Sequence, residues 1–390
     1  MHYSLAESSW GKEEIEAIHR VIDTDRFTMG EHVKQFETAY AEKFGAKYAV
    51  MTSSGSTANL VGLASFFFKK NNPLKPGDEV IVPSISWATT YYPLQQYGLK
   101  LNFLDVELDT LNMDVSKLEE ALTPNTRMVV AVSILGNPCA LTAIRKFCDQ
   151  HGLYLFEDNC ESMGAELDGK LCGTFGDIGT FSTFFSHHIS TMEGGIILTD
   201  NEEMFHLAKS LRAHGWTRDL PHDSSIYDRG DNDFFEAYRF ILPGYNARPL
   251  ELSGAIGLEQ LKKLDSMIAT RRKNAEVFVN LFSDDDRFII QKENGKSSWF
   301  SFTIILNPEC STDRSTVMEA MRKADIEFRI ITGGCFLRHD VIKYFDYETV
   351  SEIVNANIAH DRGFFVGNFP RDIRPQIEGL RKVLDNATSS

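Results

Sequence analysis

Two adjacent histidines, His187 and His188, stand in the stretch FFSHHISTMEGG at residues 184–195, just before a Glu-Gly-Gly turn and the apolar run IILTD. A free imidazole has a pKa of about 6.5, so at neutral pH it is largely deprotonated and can accept a proton without special tuning. Unlike a lysine amine, it forms no stable Schiff base with an aldehyde. Upstream, TSSGSTANL at 52–60 combines Gly55, which allows a close backbone turn, with the hydroxyls of Ser56 and Thr57. At the start of a helix these residues form a cup for an anion such as phosphate, although a Ser/Thr helix cap without a ligand has the same sequence. Asp158 closes the apolar run of LFEDNCES, at the strand end where open α/β sheets bind ligands; a turn or cap residue would also fit there. Trp87, in SISWATTYY, is either an aromatic plate for a ring or a core tryptophan.

These residues need a frame to bring them together. Apolar runs KYAVMTS, DEVIVPS, LKLNFLDV, TRMVVAVSI and GLYLFED alternate with helix-like segments from residue 45 onward, as crossover-connected parallel strands require. A long helical pattern covers ELSGAIGLEQLKKLDSMIATRRKNAEVFVNLF, and SDDD at 283–286 marks a boundary. The pattern predicts a large α/β unit over 1–282 and a smaller α+β unit over 283–390. In the latter, SSWFSFTIIL reads as a strand and STVMEAMRKADIEF as a capped helix followed by a strand.

Composition excludes several classes of function. The 390 residues carry 40 Lys plus Arg against 55 Asp plus Glu, a formal charge of -15 that repels nucleic acid and anionic membranes. Any phosphate must therefore be held by local groups. No apolar run approaches the ~18 residues of a membrane span, and the N-terminal residues lack the apolar core of a signal peptide. Six cysteines without CxxC spacing suit a reducing cytoplasm and offer no metal site. Taken together, a phosphate cup, a strand-end Asp and an aromatic plate are what a phosphorylated pyridine ring requires, since its nitrogen must stay protonated to act as an electron sink.

The ordered motifs SSGSTANL, GDEVIVPSISW, FEDNCESMGA, GTFGDIGTFS, EGGIILTD and LPGYNARPLELSGAIGLEQL, with FTMGEHVKQFE before them, resemble the DegT/DnrJ/EryC1/StrS sugar aminotransferases over nearly the whole chain. The resemblance implies the aspartate-aminotransferase (type I) fold and a homodimer with shared active sites, using pyridoxal or pyridoxamine phosphate. It also assigns residues: Gly55, Ser56 and Ser182 to the phosphate, Asp158 to the pyridine nitrogen, Trp87 to the ring face, and Glu161 to the ring hydroxyl. Asn246 would reach the phosphate from the partner subunit.

In that family the residue six places before the Glu of the Glu-Gly-Gly turn is the lysine that holds the cofactor covalently. Counting back from Glu193 gives His187, and no lysine lies between Lys170 and Lys209. The sequence thus resembles the branch of the family that removes a sugar hydroxyl. One kind of such enzyme needs a four-cysteine iron–sulfur cluster, but only Cys310 and Cys335 follow Gly195. The glutamate-dependent kind remains. It implies noncovalent cofactor, L-glutamate as amino donor, a GDP-linked 4-keto-6-deoxy sugar as substrate, and His187 as the catalytic base. His214, Arg248 and Arg329 are further candidates for binding glutamate or the substrate's diphosphate; His214 could instead position His187, and surface ion pairs are the bland reading of the arginines. The competing classes are a sugar aminotransferase, which needs a lysine near the ring, and a noncatalytic binding protein, in which the cofactor shell should have decayed.

Overall fold

The computed structural model describes residues 2–388. The strands are β1 (Tyr48–Thr52), β2 (Glu79–Pro83), β3 (Lys100–Leu104), β4 (Thr126–Val132), β5 (Tyr154–Asp158), the short hairpin β6 (Glu166–Leu167) and β7 (Lys170–Leu171), β8 (Ile178–Ser182), β9 (Gly195–Thr199), β10 (Phe288–Ile290), β11 (Ser301–Leu306), β12 (Tyr347–Thr349) and β13 (Gly363–Gly367). Eight of them form one sheet in the order β1-β9-β8-β5-β4-β2-β3-β12. β9 runs antiparallel to both β1 and β8, and the other pairings are parallel. The central strands are nearly continuous apolar runs, such as EVIVP and TRMVVAV, because helices cover both faces of the sheet.

The five expected strands are β1 to β5; β2 to β5 pair in parallel as expected, whereas the edge strand β1 pairs only with the antiparallel β9, which IILTD supplies. β12 had no signal in the sequence. It is three exposed residues at the sheet edge, too short for alternation to register.

A separate antiparallel sheet, β10-β11-β13, lies under helices Arg314–Lys323 and Arg374–Ala387. Its core gathers Phe302, Phe364, Val317, Met321, Ile377 and Leu380. The 32-residue helix Glu251–Phe282 joins the two units. Its first half packs on helices Lys12–Ile22 and Glu31–Phe44, while Phe278 stacks on Phe302 at 4.4 Å. We propose to keep the division at 282/283 as the organising boundary; residues 331–359 cross it again, packing Ile331, Phe336 and Ala356 into the core of the large sheet.

Two expectations are corrected. The helix at 314–323 begins after Asp313 without a side-chain cap bond. The segment IEF forms no strand: after the left-handed turn at Asp325 it makes single bridges, Tyr3 to Ile326 and Arg329 to Phe365, before the chain returns to the large unit.

A tight junction fixes the start of β11 against the large sheet. The Ser298 and Phe300 N–H groups donate to Gly136 O and Leu135 O at 2.9 and 3.1 Å, and Ser297 Oγ donates to Gly136 O at 2.8 Å. Gly136 has φ 94°, and a Cβ there would stand 2.7 Å from the nitrogens of both Trp299 and Phe300. Only glycine permits this approach.

Candidate active site

The carboxyl ends of β1, β2, β4, β5 and β8 converge on a cleft of about 670 Å³ between the two units. Of the residues singled out in the sequence, Gly55, Ser56, Trp87, Asp158, Glu161, Ser182, His187 and Arg329 line it.

After β1 the chain enters helix Gly55–Phe67 through a reciprocal cap. Ser54 Oγ accepts from Thr57 N at 3.1 Å, and Ser54 N donates to Thr57 Oγ1 at 2.9 Å. The other N–H groups of the first turn have no intrahelical acceptor and suit an anion. Ser56 Oγ reaches Thr89 Oγ1 at 3.1 Å. A Cβ at Gly55 would stand 2.7 Å from Ser182 Cβ and 3.0 Å from Cys160 Sγ, so this backbone is pressed against the end of β8. The result is a cradle of backbone and hydroxyl groups with room for phosphate.

Asp158 is buried at the end of β5. Its Oδ2 accepts from Asn59 Nδ2 at 2.8 Å and Thr90 Oγ1 at 2.7 Å, and its Oδ1 accepts from Cys160 N at 3.1 Å. Asn59 is held in turn by Thr180 Oγ1 at 2.6 Å. Three donors leave this carboxylate able to accept one more, as a ring N–H would supply. Trp87, at the N-cap of helix Ala88–Gln96, is 60% exposed and lines the cleft, which removes the core-tryptophan reading.

The Glu161 carboxyl accepts from Leu135 N at 2.9 Å and faces Thr332 Oγ1 at 3.5 Å. Burial pushes its pKa up to about 7, aided by the nearby Asp158 charge and opposed by the Leu135 N–H. Both supporting residues have left-handed backbones, Leu135 at φ 51° and Thr332 at φ 44°, which is uncommon for leucine and costly for a β-branched residue.

His187 packs edge-on against Phe184 and Phe300, with ring centres at 5.9 and 5.2 Å. Its Nδ1 is enclosed without a hydrogen-bond partner. Burial, reinforced by the positive charge of Arg271, lowers its pKa to about 4, so it is a neutral base at pH 7. His188 is turned away: its Nε2 donates to Ser298 O at 3.2 Å, and burial lowers its pKa as well.

Three sequence candidates lie elsewhere on the same chain. His214, Asn246 and Arg248 are not among the residues lining the cleft; they gather around Trp216 on an outer surface. The reading in which His214 positions His187 is corrected accordingly for a single chain, since the His187 ring meets Phe184 and Phe300 instead. Sequence reasoning also overlooked the supports Asn59, Thr90, Leu135, Phe300 and Thr332. Asn59 lies within the cup motif, one helical turn beyond Gly55, and Thr90 lies three residues after Trp87; those spacings were the available signals.

A mostly parallel sheet whose strand ends present a phosphate cradle, a buried carboxylate and an aromatic plate defines the type I fold of pyridoxal-phosphate enzymes. The chain belongs to the DegT/DnrJ/EryC1/StrS aminotransferase family, whose model matches residues 8–371. It is 50% identical to GDP-4-keto-6-deoxy-D-mannose 3-dehydratase of Escherichia coli O55:H7 over 98% of this chain and 100% of that protein. It is 51% identical to the enzyme of the same name from Yersinia pseudotuberculosis, over 98% of each. A crystal structure of GDP-4-keto-6-deoxymannose-3-dehydratase with a trapped PLP–glutamate geminal diamine superimposes with a TM-score of 0.97 at 50% identity, covering 98% of this chain and all of that one.

Proposed function

We propose that this chain is a pyridoxal/pyridoxamine phosphate- and glutamate-dependent 3-dehydratase. It removes the C3 hydroxyl of GDP-4-keto-6-deoxy-D-mannose to give a 4-keto-3,6-dideoxy sugar, with release of 2-oxoglutarate and ammonia. The observation that carries this reading is His187, a neutral base at the position of the family's lysine, in one cleft with Gly55, Ser56, Trp87, Asp158, Glu161 and Ser182.

When bound, the cofactor would supply an aldehyde to take up glutamate's nitrogen, the resulting amine to condense with the sugar ketone, and a ring to accept electrons. Gly55, Ser56 and Ser182 hold the phosphate. Asp158 keeps the ring nitrogen protonated, Trp87 covers the ring face, and Glu161 meets the ring hydroxyl. His187 removes the proton from the cofactor's amine-bearing carbon and, once protonated, is the acid available to the departing C3 hydroxyl. Without an amine at position 187, nothing there captures the cofactor aldehyde, and the proton is not returned in the manner that completes amination. Arg329 pairs with a carboxylate or phosphate at the cleft mouth.

The chain works as a cytoplasmic homodimer, with Asn246, His214 and Arg248 completing the partner's cleft. Among the described residues no helix is long and apolar enough to cross a membrane. Incubation with pyridoxal phosphate, glutamate and GDP-4-keto-6-deoxy-D-mannose is expected to release 2-oxoglutarate and ammonia. His187→Asn should slow ammonia release by ~10²-fold or more while leaving the fold intact. Glutamate consumption without ammonia would identify an aminotransferase and overturn the reading.

A further inference from the structure

The chain from Ser297 to Phe300 leads from the Gly136 junction into the cleft, and a side-chain donor grips each of its four carbonyls. Arg272 Nε donates to Ser297 O at 2.8 Å, His188 Nε2 to Ser298 O at 3.2 Å, Asn368 Nδ2 to Trp299 O at 2.8 Å and Arg271 Nη1 to Phe300 O at 3.0 Å. Trp299 is held at φ 47°, in the left-handed region that is costly for a bulky side chain. What this fixed segment presents is the Phe300 ring, which lines the cleft and packs on both histidines, 5.2 Å from His187 and 5.7 Å from His188. The same segment reaches Glu161: Phe300 N donates to Leu135 O at 3.1 Å, and Leu135 N donates to the Glu161 carboxyl at 2.9 Å.

A structural role alone does not explain Arg271. It is 4% exposed on the helix Glu251–Phe282, and burial lowers its pKa to about 10 with no carboxylate to oppose the shift. Its Nη1 also donates to Asn368 O, Asn368 Nδ2 returns a bond to Arg271 O at 3.2 Å, and its Nε is enclosed without a partner. A neutral donor would serve the same carbonyls without the cost of an unpaired buried cation, so the charge itself needs a use. Around the His187 ring stand Arg271 from the long helix and His188 on its own loop, with Asp158, Cys160, Glu161, Glu193 and Arg329 lining the same cleft. Of these, Arg271 is the one whose charge acts on His187 beside the effect of burial.

Resting on the dehydratase reading above, we infer that Arg271 is a positioning residue for the proton transfer: through the Phe300 carbonyl it seats the ring against which His187 is aligned, and its unpaired charge drives the proton held by His187 on to the departing C3 hydroxyl. One proton enters the imidazole from the cofactor's amine-bearing carbon, and the same proton leaves with the hydroxyl as water. The electron pair of the broken C–H bond moves through the conjugated system as the C3–O bond breaks and its pair stays on oxygen. A neighbouring like charge disfavours imidazolium, so protonated His187 is a stronger acid here than it would be in water. The base thereby returns to the neutral form that the next turnover needs.

NMR titration of His187 in the cofactor-free protein tests the charge without turnover, its resonance being assigned by its loss in His187→Asn. The wild-type midpoint is expected near 4; a midpoint at the ordinary 6.5 overturns the proposal before any further variant is made. Arg271→Gln keeps an amide donor for Phe300 O and removes the charge. It is expected to move the His187 midpoint up, toward 6.5, and to lower kcat by ~10-fold or more with KM for the GDP-sugar and for glutamate unchanged. An unmoved midpoint, or a raised KM at the wild-type kcat, overturns the assignment. Phe300→Leu tests the seating separately, since the main-chain bond to Arg271 and the charge both remain. Here kcat is expected to fall while GDP affinity by calorimetry holds; a wild-type kcat overturns the seating role. Wild-type protein with the low His187 midpoint that releases no ammonia from the sugar reaction would refute the dehydratase reading instead.

Discussion

At His187 the side chain and its surroundings act in the same direction. Imidazole is already mostly neutral at pH 7, and enclosure between Phe184 and Phe300 with the Arg271 charge behind it holds the pKa near 4. A lysine in this pocket would also be driven toward its neutral, nucleophilic form. His187→Lys is therefore expected to attach pyridoxal phosphate covalently, giving an absorption band near the visible edge that borohydride makes permanent, and to lose most dehydration. Absence of a reducible adduct would show that position 187 does not face the aldehyde. Glu161 titrates in the opposite sense. Its folded pKa is raised to about 7 from an ordinary 4.5, so its contribution to stability is full below about 4.5 and is lost as pH rises through 7. The melting temperature of Glu161→Gln in the cofactor-free protein should therefore improve relative to wild type between pH 5 and 8; a difference that does not change with pH would contradict the assignment. His187 was legible in the sequence because a fixed count back from Glu193 reaches it. Phe300 and Arg271 were not, because they approach the histidine from elements more than eighty residues away in the chain.

At the scale of elements, the strand ends make the site. β1, β5 and β8 each finish with a residue of the proposed cofactor shell or lead directly into one: the Ser54–Thr57 cap, Asp158 and Ser182. Close contact between the cap and β8 depends on Gly55. Gly55→Ala places a methyl 2.7 Å from Ser182 Cβ, and relieving that overlap must move the helix start or the serine. The expected outcome is a cost of ~1–3 kcal/mol in thermal or denaturant unfolding and a weaker grip on pyridoxamine phosphate by ~10-fold or more in fluorescence titration. Unchanged affinity would mean that phosphate does not rest there. Alternating apolar runs made β1 to β5 readable, and the 32-residue helix was readable from its apolar stripe. The helix cap read into STVMEAMRKADIEF and the strand at IEF were misread because local composition favours them, whereas the path of the chain back to the large unit decides otherwise.

For the whole molecule, acid should be destabilising. His187 and His188 both have folded pKa values below the ordinary 6.5, so the unfolded chain takes up their protons first; their contribution is full above about 6.5 and lost as pH falls toward 4. The aromatic residues beside Trp216 could be noticed as composition, but their gathering around that ring could not, since it requires segments 212–218 and 233–250 to be folded together. The junction at Gly136 bears on how ligands enter. Swinging the small unit open would break the bonds from Ser297, Ser298 and Phe300. The cleft is therefore expected to meet its substrate as a pre-cut slot rather than a closing jaw. Amide exchange at Ser298 and Phe300 should be slow and equally slow with and without GDP, and turnover should be paced by traffic through the slot's mouth rather than by domain closure.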